Sequence, residues 1–161
     1  MASIKSIAVS VSSGTRALVT AKYAIYLAKL LNSKLYALYV IDEKSLQDLL
    51  RTKIFVEVEA VEYERDLKDQ GESLLLRVKK MAQEKNVECE GLLLKGVIHD
   101  EVIKKVKEIN ADLLVMGEPK EVLSRREIFY DEAERIFRES SCPVVIVKDN
   151  ANVEKIYNEL E

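Results

Sequence analysis

The sequence predicts an α/β protein: a single domain with an open five-stranded parallel sheet and helices on both faces, in three layers. The prediction rests on five short apolar runs, rich in β-branched residues, that are separated by segments with helical periodicity. The runs are too continuously apolar for strands with one exposed face, so they fit a sheet that is covered on both sides. Alternating strands and helices then give parallel strands joined by right-handed crossovers.

The five predicted strands are the apolar runs themselves, at residues 7–11, 35–41, 89–94, 113–116 and 144–147. Between them, apolar residues recur every three or four positions and mark four helices. The stripes lie at positions 17, 21, 24, 28 and 31, then 67, 71, 74, 78 and 81, then 102, 103, 106 and 109, and finally 133, 136 and 137. The second helix is long and is expected to begin near Val58.

The helix ends and connections agree with this scheme. Asn32-Ser33, Asn86 and Asn110 are expected to end the first three helices, and Pro143 precedes the last strand. Residues 42–57 are expected to hold a short helix and a loop. We predict that residues 1–149 form the domain and that residues 150–161 form a charged tail with a helical turn or two.

Composition narrows the class of protein. The chain has 161 residues, 48% hydrophobic and 33% charged, which is typical of one globular domain. Its 28 acids and 25 bases are mixed along the chain without a basic stripe, so a nucleic-acid partner is not expected. No apolar run approaches the roughly 20 residues of a membrane span, and no leader-like segment opens the sequence, so we expect a cytoplasmic protein. Cys89 and Cys142 belong to no metal-binding pattern and are expected to be small buried side chains.

Four fragments in matching order make the chain resemble the universal stress protein family. They are residues 7–42, the strand end Val40-Ile41-Asp42, the turn from Gly96 into residues 99–103, and the run ADLLVMG at residues 111–117 together with Cys142-Pro143-Val144. The resemblance implies an adenine nucleotide alpha hydrolase-like, Rossmann-like fold, usually dimeric, with or without ATP.

The resemblance also indicates where a nucleotide site would lie. In family members that bind ATP, the fourth strand ends in Gly, and two further glycines and a Ser or Thr follow at fixed spacing. The matching positions here are Gly117, Lys120, Tyr130 and Asp131. Two more family positions match Ser12, where an aspartate commonly faces the nucleotide, and Val40, whose backbone is offered to the adenine. Of these six candidate or vestigial positions, only Val40 and Gly117 keep the family pattern.

The substitutions change the chemistry of this loop. A phosphate needs backbone N–H groups from a tight loop and a helix N-terminus, which glycine permits and Lys120 and Tyr130 do not freely offer. Asp131, at the expected helix start, would cap the free N–H groups itself and repel an anion. The positive charge of Lys120 acts in the opposite direction. The sequence therefore favours a family branch that lacks the glycine motif and does not bind ATP.

Plainer interpretations exist for the same residues. Tyr130 and Asp131 are then a packed loop aromatic and a helix N-cap, and Arg125 and Arg126, with Lys120, a solvated face rather than an anion site. His99, the single histidine, has no partner recognisable in sequence and is expected to cap a helix or lie at the surface. No paired carboxylates, zinc spacing or P-loop supports an enzyme, so no catalytic or metal-binding residue is assigned.

The last predicted strand carries one further expectation. Val144, Val145, Ile146 and Val147 form a short apolar strand near the edge of the sheet, and an uncovered edge invites pairing. In the family such strands meet across a two-fold axis, which implies a homodimer through these four residues, with residues 132–137 nearby.

Three hypotheses for function follow. The first is a dimeric universal stress–type protein without an intact ATP site and without a cofactor, which binds an unidentified protein or small molecule. The second is a member that binds ATP with an altered loop and hydrolyses it slowly, where Lys120 replaces backbone donors and Asp131 holds a metal ion against the phosphates. The third is an unrelated small-molecule carrier that uses the pocket above Ser12, Val40 and Gly117.

Overall fold

The computed structural model describes residues 3–12, 16–118, 126–148 and 151–161, with the backbone alone for residues 126–131. Its strands form one five-stranded sheet in the order β3-β2-β1-β4-β5, and every pair of neighbours is parallel. The strands are β1 Ser6–Ser10, β2 Lys34–Asp42, β3 Cys89–Gly96, β4 Leu113–Gly117 and β5 Val144–Val147. The predicted open parallel sheet is confirmed.

Six helices are present in the described residues: α1 Ala17–Leu31, α2 Glu43–Arg51, α3 Glu57–Glu84, α4 Ile98–Glu108, α5 Arg126–Glu139 and α6 Ala151–Asn158. The short helix expected after β2 is α2, which is capped by Asp42 through a hydrogen bond from the Ser45 backbone N–H, 3.1 Å long. The helical turns expected after residue 150 are α6, whose Val153 and Tyr157 are buried against the core.

Three asparagines end helices as the sequence predicted. Asn32, Asn86 and Asn110 adopt left-handed backbone conformations, with φ of 52°, 59° and 52°. Asparagine tolerates this conformation better than most residues with a Cβ, and it lets the chain turn away from the helix axis toward the next strand.

The sheet separates two hydrophobic cores because successive side chains of a strand point to opposite faces. Ile7 and Val9 of β1 face the core formed with α1, α3 and α6, whereas Ala8 faces the core formed with α4 and α5. β1 is the central strand and β4 lies next to it, and both are buried over most of their length. This explains why their sequences are apolar without alternation.

The order of strands creates one point where the direction of winding reverses. From β1 the chain proceeds outward through β2 to β3, then returns to the other side of β1 to form β4 and β5. The helices that follow β1 and β4, α1 and α5, therefore pack on opposite faces of the sheet. In doubly wound folds ligands bind beside such a reversal point, at the carboxyl ends of the strands. Within the part of the chain that the structure describes, no helix combines the length and apolar character needed to cross a membrane.

Candidate functional site

Three of the predicted site positions lie together at the carboxyl edge of the sheet, beside this reversal point. Ser10 pairs with both Leu38 of β2 and Met116 of β4, so Ser12 is level with Val40 and one residue beyond Gly117. Ser12 is exposed, whereas Val40 and Gly117 are half-buried. Their common location is a property of the fold, and their role in binding a ligand stays a prediction.

Gly117 is held close to helix α1. A Cβ on Gly117 would lie 2.8 Å from Thr20 Oγ1, well inside normal contact distance. Thr20 is buried, and its hydroxyl donates a hydrogen bond to the Arg16 carbonyl at 3.2 Å, so it has little room to move. The backbone of Gly117 does not adopt the positive φ that favours glycine. Close packing of α1 on β4 is therefore sufficient reason for this glycine, without any phosphate.

The residue directly after Gly117 carries a carboxylate. Glu118 lies at the end of β4, where its Oε1 accepts a hydrogen bond from Lys148 Nζ at 2.8 Å and its Oε2 is 3.6 Å from Arg16 Nη1. Lys148 follows β5 and Arg16 precedes α1, so three elements bring these charges to one place. The hydrogen bond from Lys148, with the nearby charges of Lys148 and Arg16, lowers the pKa of Glu118 below its usual value. The carboxyl edge of the sheet thus has an anion of its own beside Gly117.

Sequence reasoning did not single out this cluster. Glu118 lies between the predicted positions Gly117 and Lys120, and Lys148 follows the last strand directly. The signal available was that parallel strands end at the same edge of a sheet, so residues that follow neighbouring strands are brought together. Lys120 itself lies outside the described residues.

The predicted N-cap role of Asp131 is wrong. Helix α5 begins at Arg126, so Tyr130 and Asp131 lie in its second turn and not at its start. The segment REIFYDEAERIFRE contains neither glycine nor proline, so nothing in it delays the helix to residue 131. Only the first four N–H groups of a helix lack an intrahelical acceptor, and the N–H of Asp131 is not among them.

His99 was expected to cap a helix or to lie at the surface, and both expectations are wrong. It is buried between two helices, and the N-cap of α4 is Val97. Its backbone N–H and its ring Nδ1 both lie 2.8 Å from Glu132 Oε2 of α5. Its Nε2 lies 3.2 Å from Arg135 Nη1 and 3.2 Å from Asp100 Oδ1. Because a carboxylate can only accept, Nδ1 is the donor toward Glu132. Both ring nitrogens are thus engaged in holding α4 against α5.

The two cysteines differ in accessibility. Cys89 is buried at the start of β3, and burial raises the pKa of its thiol to about 11. Cys142 is half-buried beside Ser140, whose hydroxyl accepts a hydrogen bond from the Cys142 backbone N–H at 3.2 Å. Among the residues with described side chains, no group of three histidine, cysteine or acidic side chains is arranged to hold a metal ion.

These features define a class of protein: a doubly wound α/β domain whose carboxyl edge, at the reversal point, has a strand-ending glycine and a surface carboxylate that is paired with two cations. A sequence profile of the universal stress protein family matches residues 3–148, nearly the whole chain. The chain therefore belongs to the universal stress protein family.

Individual proteins that are similar to this chain agree with the family assignment. The chain is similar to universal stress protein MJ0531 of Methanocaldococcus jannaschii, with 31% identity over 144 residues that cover 89% of this chain and 82% of the relative. Among solved structures it is similar to universal stress protein UspA from Lactobacillus plantarum, with a TM-score of 0.74, 16% identity, and coverage of 92% and 100%. It is also similar to the universal stress protein from Archaeoglobus fulgidus in complex with dAMP, with a TM-score of 0.62, 17% identity, and coverage of 89% and 98%. At these identities the two structures support the fold alone.

Proposed function

We propose that this protein is a homodimeric regulatory or binding member of its family that does not hold ATP in the manner of the nucleotide-binding members. It acts by binding a protein or a small molecule and not by catalysis, and it needs no cofactor. The observation that carries the proposal is the carboxylate of Glu118 at the carboxyl edge of β4.

The position of Glu118 opposes a phosphate in two ways. It pairs with Arg16 and Lys148, two cations at this edge, and so offsets part of the positive charge that would otherwise attract an anion. It also adds a negative charge beside Gly117, where a phosphate of a nucleotide would approach the backbone. A nucleotide would have to displace Glu118 from both partners before it gained their charge.

The start of α5 also supports the proposal. A phosphate-binding helix needs its free N–H groups next to the loop that carries the phosphate, and the sequence places the family's hydroxyl position at Asp131. Since Asp131 lies within α5, its N–H is not available to a ligand.

The alternative is a member that binds ATP through an altered loop and hydrolyses it slowly. A relative in complex with dAMP makes this worth testing, and Arg16 and Lys148 are cations at the right edge of the sheet. In this alternative Lys120 replaces the missing backbone donors, and Asp131 serves a metal ion. A carrier for another small molecule above Ser12, Val40 and Gly117 is the third possibility.

Calorimetric titration separates these functions. Protein purified without added nucleotide is titrated with ATP, with and without magnesium, and the Archaeoglobus fulgidus protein titrated with dAMP serves as the positive control. We expect no binding tighter than about 10 μM, which corresponds to roughly −7 kcal/mol. Tighter binding overturns the proposal and favours the alternative.

Two sets of substitutions then identify which residues prevent ATP binding. Glu118→Ser removes the carboxylate that Arg16 and Lys148 share, and the triple variant Lys120→Gly, Tyr130→Gly and Asp131→Ser restores the family's loop residues. Glu88→Ser is the matched control for the first, because it removes one ion-paired acid from a distant part of the sheet. Gain of ATP binding by Glu118→Ser, but not by Glu88→Ser, assigns the loss of nucleotide to Glu118.

The proposed dimer uses the outer edge of β5. In the described residues β5 pairs with β4 alone, and Val144, Val145, Ile146 and Val147 carry no charge on this edge. The other edge strand, β3, exposes the charged residues Glu90 and Lys95 and is therefore protected from pairing.

A shallow apolar groove adjoins β5. It has a volume of about 320 Å³ and is lined by Phe137, Cys142, Pro143, Val144 and Ile146. Phe137 and Ile146 are both exposed. A strand edge and an apolar groove on one side of the sheet suit a self-complementary contact across a two-fold axis.

Sedimentation velocity tests the dimer. At about 10 μM we expect the mass of two chains for the wild type, the mass of one chain for Ile146→Lys, and two again for Leu30→Lys, an exposed apolar residue of α1. A monomeric wild type, or an Ile146→Lys variant that stays dimeric, contradicts the β5 interface.

The absence of catalysis, the cellular location and the kind of partner are the remaining parts of the proposal. Both ring nitrogens of His99 are engaged between α4 and α5, which supports binding over catalysis. A cytoplasmic location and a partner other than nucleic acid or membrane stay predictions from the mixed charge of the sequence.

A further inference from the structure

A second surface of the molecule has features of a docking site, and it lies on the opposite side of the sheet from β5. Four apolar side chains at the start of α3, which we name the α3 corner, are Ile54, Val56, Val58 and Val61. Each is between 57% and 68% exposed. Exposed apolar groups rimmed by polar ones mark interaction sites more often than scattered single residues do.

Helical geometry explains why these residues are not part of the core. The buried line of α3 runs through Ala60, Gly71, Leu75, Val78 and Ala82. Val58 and Val61 are one turn apart and lie to the side of this line. They therefore share one exposed flank at the beginning of α3.

The α3 corner also projects beyond the sheet. Gly71 packs against Tyr39 of β2 and Leu93 of β3, so it marks the level at which α3 crosses those strands. From there β2 continues for three residues, about 10 Å, whereas α3 extends back for 14 residues, about 21 Å. The first turns of α3 consequently stand about 10 Å past the carboxyl edge, where a partner has access to them.

The charge around this corner is strongly one-sided. Residues 57–72 contain seven acids and two bases, whereas the whole chain contains 28 acids and 25 bases. The rest of the chain therefore has slightly more bases than acids. The net negative charge of the whole protein is concentrated on the first half of α3. Glu64 is ion-paired with Lys95, and Glu59 accepts a hydrogen bond from the Val56 backbone N–H at 3.2 Å.

The negative charge around the α3 corner limits which kind of partner can bind there. A second copy of the chain would bring two acidic patches together across a two-fold axis, which costs repulsion. Anionic lipid surfaces and nucleic acids are repelled in the same way. An apolar face flanked by lysine or arginine satisfies both features of the corner, because it covers the valines and neutralises the acids.

We propose that the α3 corner docks a basic amphipathic segment of a partner protein. Apolar side chains of that segment cover Val58 and Val61, while its basic side chains face the acids of residues 57–72. The proposal is independent of whether the carboxyl edge at Gly117 binds a nucleotide.

Fluorescence anisotropy with a defined probe tests this. The probe is a labelled peptide of about 18 residues, five helical turns, made of leucine and lysine with leucines on one face. A peptide of the same composition in scrambled order is its control. We expect the ordered peptide to bind the full-length protein and the scrambled one to bind at least about tenfold more weakly.

Matched variants locate the site. We expect the pair Val58→Ser and Val61→Ser to weaken binding about tenfold or more, and the pair Leu30→Ser and Leu76→Ser, which removes two equally exposed apolar groups elsewhere, to leave it unchanged. The triple variant Glu62→Gln, Asp69→Asn and Glu72→Gln is expected to weaken binding and its salt dependence, unlike Glu139→Gln, Glu159→Gln and Glu161→Gln. Circular dichroism verifies that every variant is folded.

Three outcomes overturn the proposal. One is no binding of the ordered peptide at about 100 μM and physiological salt. Another is equal binding by the wild type and the Val58 and Val61 variant. The third is concentration-dependent self-association that this same variant abolishes, since the corner would then be an interface between copies of the chain.

Discussion

Replacing Gly117 with alanine tests whether this glycine serves packing or a ligand. The new Cβ would lie 2.8 Å from Thr20 Oγ1, and the hydroxyl is held by the Arg16 carbonyl inside the packed α1–β4 interface. If packing requires the glycine, the cost must disappear when the obstructing hydroxyl is removed. We therefore predict that Gly117→Ala destabilises the wild type but not the Thr20→Ala variant.

The expected loss of stability in Gly117→Ala is the difference between two opposing effects. Insertion of a methyl group into a packed interface costs about 1 to 3 kcal/mol. Alanine in place of glycine at a compatible φ restores about 0.4 to 1 kcal/mol, because the unfolded chain loses freedom. The difference is a destabilisation of about 1.5 kcal/mol, or roughly 3 to 6 °C in Tm for a chain of this size. In the Thr20→Ala background only the second effect remains, so Gly117→Ala should stabilise slightly.

Urea unfolding of the four proteins, at one fixed protein concentration, measures the coupling between the two positions. Gly91→Ala is the control, because its Cβ would lie 3.2 Å from Leu75 Cβ, and we expect a smaller loss of stability there. Equal destabilisation by Gly117→Ala in both backgrounds would refute the packing explanation. A role in ligand binding would then have to account for the glycine.

Three further predictions concern side chains away from Gly117. Glu132→Ala should lower the free energy of unfolding by about 2 kcal/mol, since it leaves two donors of His99 without their acceptor, and Glu132→Gln should cost less; urea unfolding measures both. In Cys142→Ser protein, the remaining Cys89 should react with a disulfide reagent only as fast as the protein unfolds, because the folded core excludes the reagent from the buried thiol and burial raises its pKa to about 11. Asp112 accepts hydrogen bonds from two backbone N–H groups, which lower its pKa below 3.8, so its contribution to stability is present above that pH and is lost as the pH falls through the lowered value. The Tm of wild type should therefore exceed that of Asp112→Asn near neutral pH, and the difference should shrink in acid.

For each of these three predictions, one result would contradict the reasoning. An unchanged stability in Glu132→Ala would mean that the joint between α4 and α5 does not depend on this carboxylate. Rapid labelling of native Cys89 would show that β3 opens locally without global unfolding. A Tm difference for Asp112→Asn that is the same at every pH would mean that its ionisation plays no part.

The sequence predicted the sheet because its signals are local. Continuous apolar runs identify buried strands, and asparagines identify helix ends, since each effect depends on a residue and its near neighbours. The same local approach failed at Asp131, where a family spacing was used to place a helix start that the helix-forming residues from Arg126 onward do not support. It also failed for His99, because its partner Glu132 is on another helix.

The sequence alone determined that this chain is a parallel α/β domain with the frame of a universal stress protein and most of its phosphate-loop glycines replaced. Only the tertiary structure decided why Gly117 remains and what occupies the edge beside it. Thr20 meets Gly117, and Glu118 meets Arg16 and Lys148, across gaps of 30 residues or more. No local periodicity reports such contacts, because they arise where parallel strands end side by side and the helices pack over them.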